Sequence, residues 1–79
     1  MELRQLQQFL VLAETLNFRA AAERLFMSQP PLSVSIRKLE EEIGAKLFSP
    51  TTHDVQLTQE GRAILQSARQ TLFHAPEVA

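Results

Sequence analysis

The chain has 79 residues, no cysteine, eight basic and nine acidic side chains, and a net charge of −1 at pH 7. Its length permits one small domain; the lack of cysteine excludes disulfides and thiolate metal sites, and the charge argues against a strongly basic nucleic-acid coat protein. No run is long enough to span a bilayer, and Arg4 and Glu14 interrupt the only early apolar run, so we expect no signal peptide and a cytoplasmic protein.

Apolar residues near the amino terminus recur at helical spacing and predict a first helix over Leu3–Leu16. This helix would pack across the elements that follow and complete a three-helix core. Its apolar stripe consists of Leu3, Leu6, Leu10, Ala13 and Leu16, with Phe9 beside them. The polar side chains around it, which we expect to be solvated, are Arg4, Gln5, Gln7 and Gln8. The alternative for Arg4 is a contact with a DNA phosphate, if this helix crosses the DNA backbone.

Two further helices are predicted on either side of a short break at Phe26, Met27 and Ser28. Asn17 is well placed as the N-cap of the first of them. The apolar positions are Phe18, Ala21, Ala22 and Leu25, and then Leu32, Ile36, Leu39 and Ile43. Helical spacing on both sides of a tight break is typical of a helix-turn-helix, in which the second helix enters the DNA major groove with its amino-terminal end.

The start of this second helix is suited to reading bases. Ser28 is a candidate N-cap, and Pro30 and Pro31 occupy first-turn positions where a missing N–H costs little. Gln29 can pair bidentately with adenine, and Val34 offers a methyl surface for thymine. The alternative for these residues is an ordinary helix start with a solvated face.

The period of the sequence changes after Gly44, which is a good residue to end the helix. Alternation in Val55–Thr58, set against Leu47 and Phe48 across a polar turn that contains proline, predicts a short two-stranded hairpin. The fold class expected is therefore mainly α with a small β-hairpin, a winged helix-turn-helix with a three-helix core.

A last helix is predicted from Gln59 to about Ala75, with Thr58 as its N-cap and an end imposed by Pro76. Its stripe either folds back on the domain's own core or pairs with a second copy of the chain, and we favour pairing because the preceding helices already supply a core. The residues expected to make the dimer are Ile64, Leu65, Ala68 and Leu72.

The sequence offers little for catalysis, and we expect no enzyme activity, no cofactor and no metal. His53 and His74 lie in different elements without a second ligand at helical spacing. The acidic triplet Glu40–Glu42 is interpreted as a solvated helix end rather than as paired catalytic carboxylates. The main alternative to DNA binding is a small helical protein–protein interaction module.

Taken together, these motifs resemble the amino-terminal DNA-binding domain of a LysR-type transcriptional regulator, over nearly the whole chain. The most specific shared elements are Ala21-Ala22, the run Ser28–Ser33, Leu39-Glu40, Gly44, Leu47-Phe48, Leu57-Thr58 and Gly61. The resemblance implies a winged helix-turn-helix over residues 1–58, a linker and dimerisation helix over residues 59–79, and a pseudo-palindromic bacterial promoter site as ligand. It also implies an effector-binding domain after the linker, so an isolated or truncated DNA-binding domain is expected.

The same resemblance assigns roles residue by residue. The expected base contacts are Gln29, Pro30, Pro31, Ser33, Val34 and Arg37. The resemblance also implies contacts with the DNA backbone at Ser28, Ser35 and Lys38. Apart from the resemblance, we expect further contacts with the DNA backbone at Arg4, Arg19, Thr51, Thr52 and His53. Other partners left open are a tetramer of the full-length protein and RNA polymerase, while no membrane is expected.

The wing departs from the family pattern. Relatives often have Glu-Arg after Leu-Phe and another basic residue near the tip, whereas this chain has Ser49-Pro50 and His53-Asp54. A weaker attraction to the minor groove is therefore expected. The sequence does not reveal the operator, the effector, the regulated genes or the direction of regulation.

Overall fold

The computed structural model describes residues 2–73, with side chains up to residue 70. The elements in this range are α1 (Leu3–Thr15), α2 (Phe18–Arg24), α3 (Gln29–Ile43), β1 (Phe48–Pro50), β2 (Val55–Leu57) and α4 (Gln59–Phe73). Three helices and an antiparallel hairpin in this order confirm the predicted winged helix-turn-helix. The expected end of the last helix, at Ala75 and Pro76, lies outside the described residues.

The predicted stripe of α1 is correct at its centre and wrong at its ends. Phe9, Leu10 and Ala13 are buried, whereas Leu3 is 58% and Leu16 37% exposed. Leu12, which the prediction had left out of the stripe, is completely buried. Leu16 lies beyond the helix in a left-handed conformation with φ of 54°, so it no longer shares the helical face. Glu2 and Gln5 form a capping box that begins the helix.

Gln8 was expected to be solvated, and the structure shows that this is wrong. Its side chain is only 7% exposed. The amide Nε2 donates to Met27 Sδ at 3.7 Å, and Oε1 accepts a hydrogen bond from the hydroxyl of Ser35. A buried amide is tolerated because both of its ends are hydrogen-bonded. Gln8 thereby joins α1 to the turn and to α3, which sequence periodicity alone does not show.

The two helices of the motif begin differently. The side chain of Asn17 accepts the N–H of Ala20 at 2.8 Å, which confirms it as the N-cap of α2. Ser28 occupies the N-cap position of α3 but makes no capping hydrogen bond, so that prediction was wrong. An N-cap side chain accepts from the second or third residue of the helix, and here those are Pro30 and Pro31, which have no N–H.

The wing is a hairpin in which Phe48 pairs with Leu57 and Pro50 with Val55. Strand β1 includes Ser49 and Pro50, which the sequence had placed in the turn. A proline is accommodated at the end of a two-stranded sheet because its missing N–H faces no further strand. The ring of Phe48 lies 5.5 Å from that of Phe9, so the wing is anchored in the same core as α1.

Glu40 connects the end of α3 to the start of the wing. Its Oε2 accepts the backbone N–H groups of Leu47 and Phe48 at 2.8 and 3.2 Å, and its side chain is 12% exposed. The interpretation of the acidic triplet as solvated is therefore wrong for this residue. Gly44, with φ of 82°, reverses the chain after α3 and returns these amides to the last turn of the helix.

The first turn of α4 packs directly on the base of the wing. Thr58 Oγ1 accepts the N–H of Gly61 at 2.9 Å, which confirms Thr58 as the N-cap. A Cβ atom on Gly61 would come within 2.2 Å of the carbonyl oxygen of Leu47. Only glycine permits this approach, and it fixes the direction in which α4 leaves the domain.

Candidate nucleic-acid interface

The residues expected to read bases share the free surface of α3. The side chains of Gln29, Pro30, Pro31 and Arg37 are exposed, and Val34 is 39% exposed. Ser33 is half-buried. The opposite side of the helix is held in the core by Leu32, Ile36 and Leu39. The helix therefore presents small and apolar side chains first and a guanidinium two turns later, which suits entry into a major groove.

A groove lined by two basic residues and by the acidic Glu2 runs along one side of this surface. It has a volume of about 510 Å³ and lies between α1 and α3. Arg4 and Lys38 both line it, together with Pro31 and Val34. Two cations from different helices thus border the free surface of α3, here called the reading face. This is expected if they bind phosphates on either side of the DNA major groove.

The wing borders the other side of α3. A smaller groove of about 190 Å³ is lined by Ser33 and Arg37 from the helix and by Ser49, Pro50 and Val55 from the hairpin. Ser33 therefore lies on the side of α3 that borders the wing. A wing beside the recognition helix is positioned to meet the DNA backbone next to the major groove.

Lys46 lines the same groove and was missed by sequence reasoning. Its side chain is 77% exposed and its Nζ lies 3.9 Å from Glu40 Oε1, a loose pair at the surface. The charge was visible in the sequence. Its position next to Arg37 depends on the chain reversal at Gly44, which sequence spacing does not specify.

The tip of the wing carries three of the residues expected to contact the DNA backbone. Thr51, Thr52 and His53 are exposed. Asp54, next to them, is half-buried, and its Oδ2 accepts the N–H of Phe18 at 3.0 Å. The carboxylate therefore has a partner on α2, which the sequence did not indicate.

The remaining expected backbone contacts differ in accessibility. Arg19, in the first turn of α2, and Ser28, before α3, are both exposed. Ser35 is half-buried and its hydroxyl donates to Gln8 Oε1. Because that proton is already committed within the protein, the structure argues against Ser35 as a phosphate ligand.

The dimerisation stripe on α4 is divided by the fold. Ala68 is 4% exposed and belongs to the core. Ile64 and Leu65 are half-buried and pack against that core. The structure thus supports for Ala68 the alternative that we did not favour, folding back on the domain, because α4 lies against α1. The side chain of Leu72 lies outside the described residues.

Phe26 is a second residue that the sequence reading did not single out. It is 96% exposed, has φ of 55° and lines an open groove with Arg4, Gln7 and Met27. The only signal in the sequence was its position in the break between two helices. A positive φ is uncommon for a residue other than glycine, and here it falls on a phenylalanine whose ring is left in solvent.

The described part of the chain offers neither a cluster of metal ligands nor a membrane-spanning helix. Residues 2–73 contain no group of three or more His, Cys, Asp or Glu side chains that could hold a metal ion. The helices within this range are too short or too polar to cross a membrane.

Comparison with known proteins identifies the fold. The family of bacterial regulatory helix-turn-helix proteins of the lysR type matches residues 3–62. The chain belongs to this family. The lysR-family domain is 50% identical over 72 residues to the HTH-type transcriptional regulator TfdT of Cupriavidus pinatubonensis, covering 91% of this chain and 32% of that protein. It is also 50% identical over 73 residues to AlsR of Bacillus subtilis, covering 92% of this chain and 24% of that regulator.

Solved structures agree with this assignment. The crystal structure of the CbnR DBD–DNA complex matches with a TM-score of 0.87 and 41% identity, over 92% of this chain and 84% of that one. The BenM DBD complex with the catB site 1 DNA gives the same TM-score and identity over 82% of its chain. The lysR-family domain thus has the fold of two domains crystallised on DNA, and these likenesses do not favour the alternative of a protein-interaction module.

Proposed function

We propose that this lysR-family domain binds a specific duplex DNA site in a bacterial promoter and thereby regulates transcription. The observation that carries the proposal is the free surface of α3, which presents Gln29, Val34 and Arg37. It lies between the groove that holds Arg4 and Lys38 on one side and the wing on the other. Family membership supports it. In this role the domain acts without catalysis, in the bacterial cytoplasm at the nucleoid.

Base recognition is assigned to the amino-terminal half of α3. Gln29 stands at the tip, where its amide can pair with adenine, and Arg37 can reach guanine or a phosphate further along. Pro30 and Pro31 stiffen the inserted end, and Ser33 and Val34 contact neighbouring base edges. The exposure of these side chains and the burial of the opposite face support this assignment.

Attraction to the DNA backbone is assigned to cations and hydroxyls around this helix. Arg4 and Lys38 act from the groove between α1 and α3. Arg19 and Ser28 flank them, and the wing contributes Thr51, Thr52 and His53. We add Lys46 to this set because it borders the groove between α3 and the wing.

A homodimer through α4 would present two such surfaces to a pseudo-palindromic site. Ile64 and Leu65 are half-buried in one chain, so part of their apolar surface is left for a second copy. Leu72 extends this stripe in the sequence. The division proposed is a DNA-binding unit over residues 1–58 and a linker helix over residues 59–79.

The chain spans about a quarter to a third of the length of the curated relatives quoted above. We therefore propose that effector sensing, any tetramer and any contact with RNA polymerase reside in parts of the protein beyond this chain.

Selection of duplexes from a random pool, followed by footprinting, tests the proposal. The expected result is a two-fold site whose half-sites are separated by one or two helical turns, each about 34–36 Å. Affinity for random duplex should fall steeply as salt rises, because bound cations release counterions from the phosphates. Absence of any salt-dependent binding to duplex would refute DNA binding and favour a protein-interaction module.

The dimer has its own test. In a variant that remains folded, Leu65→Asp should shift the sedimentation of the chain towards a monomer and weaken binding to the two-fold site more than to a single half-site. The matched control is Gln66→Asp, an equally acidic change at an exposed neighbouring position. An unchanged sedimentation coefficient for Leu65→Asp would contradict pairing through this face.

A further inference from the structure

One side chain ties the tip of the wing to the helix-turn-helix. Asp54 Oδ2 accepts the backbone N–H of Phe18 at 3.0 Å across 36 positions of the sequence. Phe18 is the first residue of α2, where an N–H has no partner within its own helix. A carboxylate is also favoured there by the partial positive charge of the helix end. The contact therefore fixes where the wing lies relative to the helices that carry the reading face.

The turn around Asp54 is closed by hydrogen bonds of its own. The N–H of Thr51 donates to the carbonyl of Asp54 at 2.9 Å. Thr51 Oγ1 accepts the N–H groups of His53 and Asp54 at 3.1 and 3.0 Å. The tip is consequently one unit, and whatever holds Asp54 also holds Thr51, Thr52 and His53.

An acidic residue on a DNA-facing wing should repel phosphates, and the structure indicates why it is present here. Asp54 is half-buried and bonded to α2, while its neighbours Thr51, Thr52 and His53 are exposed. We propose that Asp54 is a positioning residue of the DNA interface. It fixes the wing in the position at which the hydroxyls of Thr51 and Thr52 and the imidazole of His53 contact the DNA backbone. This inference rests on the proposed function of the domain.

Two substitutions that remove the same charge separate positioning from electrostatics. Asp54→Asn keeps a side-chain oxygen that can accept the N–H of Phe18, whereas Asp54→Ala does not. On a duplex recovered from the random pool and carrying full flanks, Asp54→Ala should bind about fivefold more weakly than Asp54→Asn, which is the effect of losing one hydrogen bond. On a duplex shortened to the bases under α3, the two variants should bind equally.

Equal binding to the short duplex would also show that α3 remains folded in both variants. Glu23→Gln and Glu23→Ala, at an exposed carboxylate of α2, form the control pair and should not differ on either duplex. Amide hydrogen exchange supplies an independent measurement in the free protein. The N–H of Phe18 should exchange about fivefold faster in Asp54→Ala than in Asp54→Asn, because only the alanine variant lacks an acceptor.

The outcomes distinguish this inference from the function on which it rests. Equal affinity of Asp54→Asn and Asp54→Ala on the full duplex, while the wild-type chain binds it, would overturn the positioning role alone. Equal exchange of the Phe18 amide in the two variants would do the same. Failure of the wild-type chain to bind any duplex would overturn the proposed function, and the positioning role with it.

Discussion

The carboxylate of Glu40 provides the sharpest test of how the wing is held. Replacing Glu40 with alanine leaves the N–H groups of Leu47 and Phe48, now bonded at 2.8 and 3.2 Å, without an acceptor. Both of these residues are buried, at 0% and 7% exposure, so water replaces the acceptor only in part. A hydrogen bond to a charged group contributes about 1.5–3 kcal/mol. Since the two bonds share one carboxylate, we expect a loss of about 2–4 kcal/mol in the free energy of unfolding.

The assay is urea unfolding of the wild-type chain, Glu40→Ala and Glu40→Gln, with Glu41→Ala as the control. Glutamine retains a neutral oxygen for one or both amides and should lose about half as much as alanine. Glu41 is exposed one residue along the same helix, and its substitution should change stability by less than about 0.5 kcal/mol. If Glu40→Ala were as stable as Glu41→Ala, the two hydrogen bonds would not stabilise the domain and the reasoning would be refuted.

Three further predictions follow from single positions. Gly61→Ala should lower the stability measured in thermal unfolding by about 1–3 kcal/mol, although helix propensity alone favours alanine, because its Cβ would lie 2.2 Å from the carbonyl oxygen of Leu47. An unchanged melting temperature would contradict this close approach. Phe26→Asn should raise stability by about 0.5–1 kcal/mol, since asparagine tolerates φ of 55° and the ring is 96% exposed; a loss would mean that the ring packs in solution. Gln29→Ala should cost about 1–3 kcal/mol on the selected site and little on random duplex, whereas Lys38→Ala should weaken both; equal losses on both duplexes for Gln29→Ala would show that it does not read sequence.

Periodicity was sufficient for the helices of the motif. The spacing of Leu32, Ile36 and Leu39 identified the buried face of α3, and all three are buried. Asn17 and Thr58 were recognised as N-caps because such a cap acts within three residues of the chain. The exception is Ser28, and its failure was also local, since the two prolines that follow remove the N–H groups that it would accept.

The partners of three polar residues could not be predicted from the neighbouring sequence. Gln8 and Glu40 both lie on helices at positions that look solvated, yet both are largely buried with partners on another element. Asp54 looked like a repulsive charge on the wing, yet it accepts an N–H from α2. In each case the partner lies 7 to 36 positions away along the chain. No spacing rule connects positions that only the fold brings together.

The amino-acid pattern was enough to predict the elements of this protein, their order and the family to which the chain belongs. These depend on apolar repeats, caps and turn residues, whose interactions reach no further than about one helical turn along the chain. Three features emerged only from the folded chain: Lys46 lies beside Arg37, Ala68 belongs to the core, and Asp54 accepts an N–H from α2. The partner of a surface charge or of an amphipathic helix depends on the angles at which the helices pack. Those angles in turn depend on the packing of several elements at once.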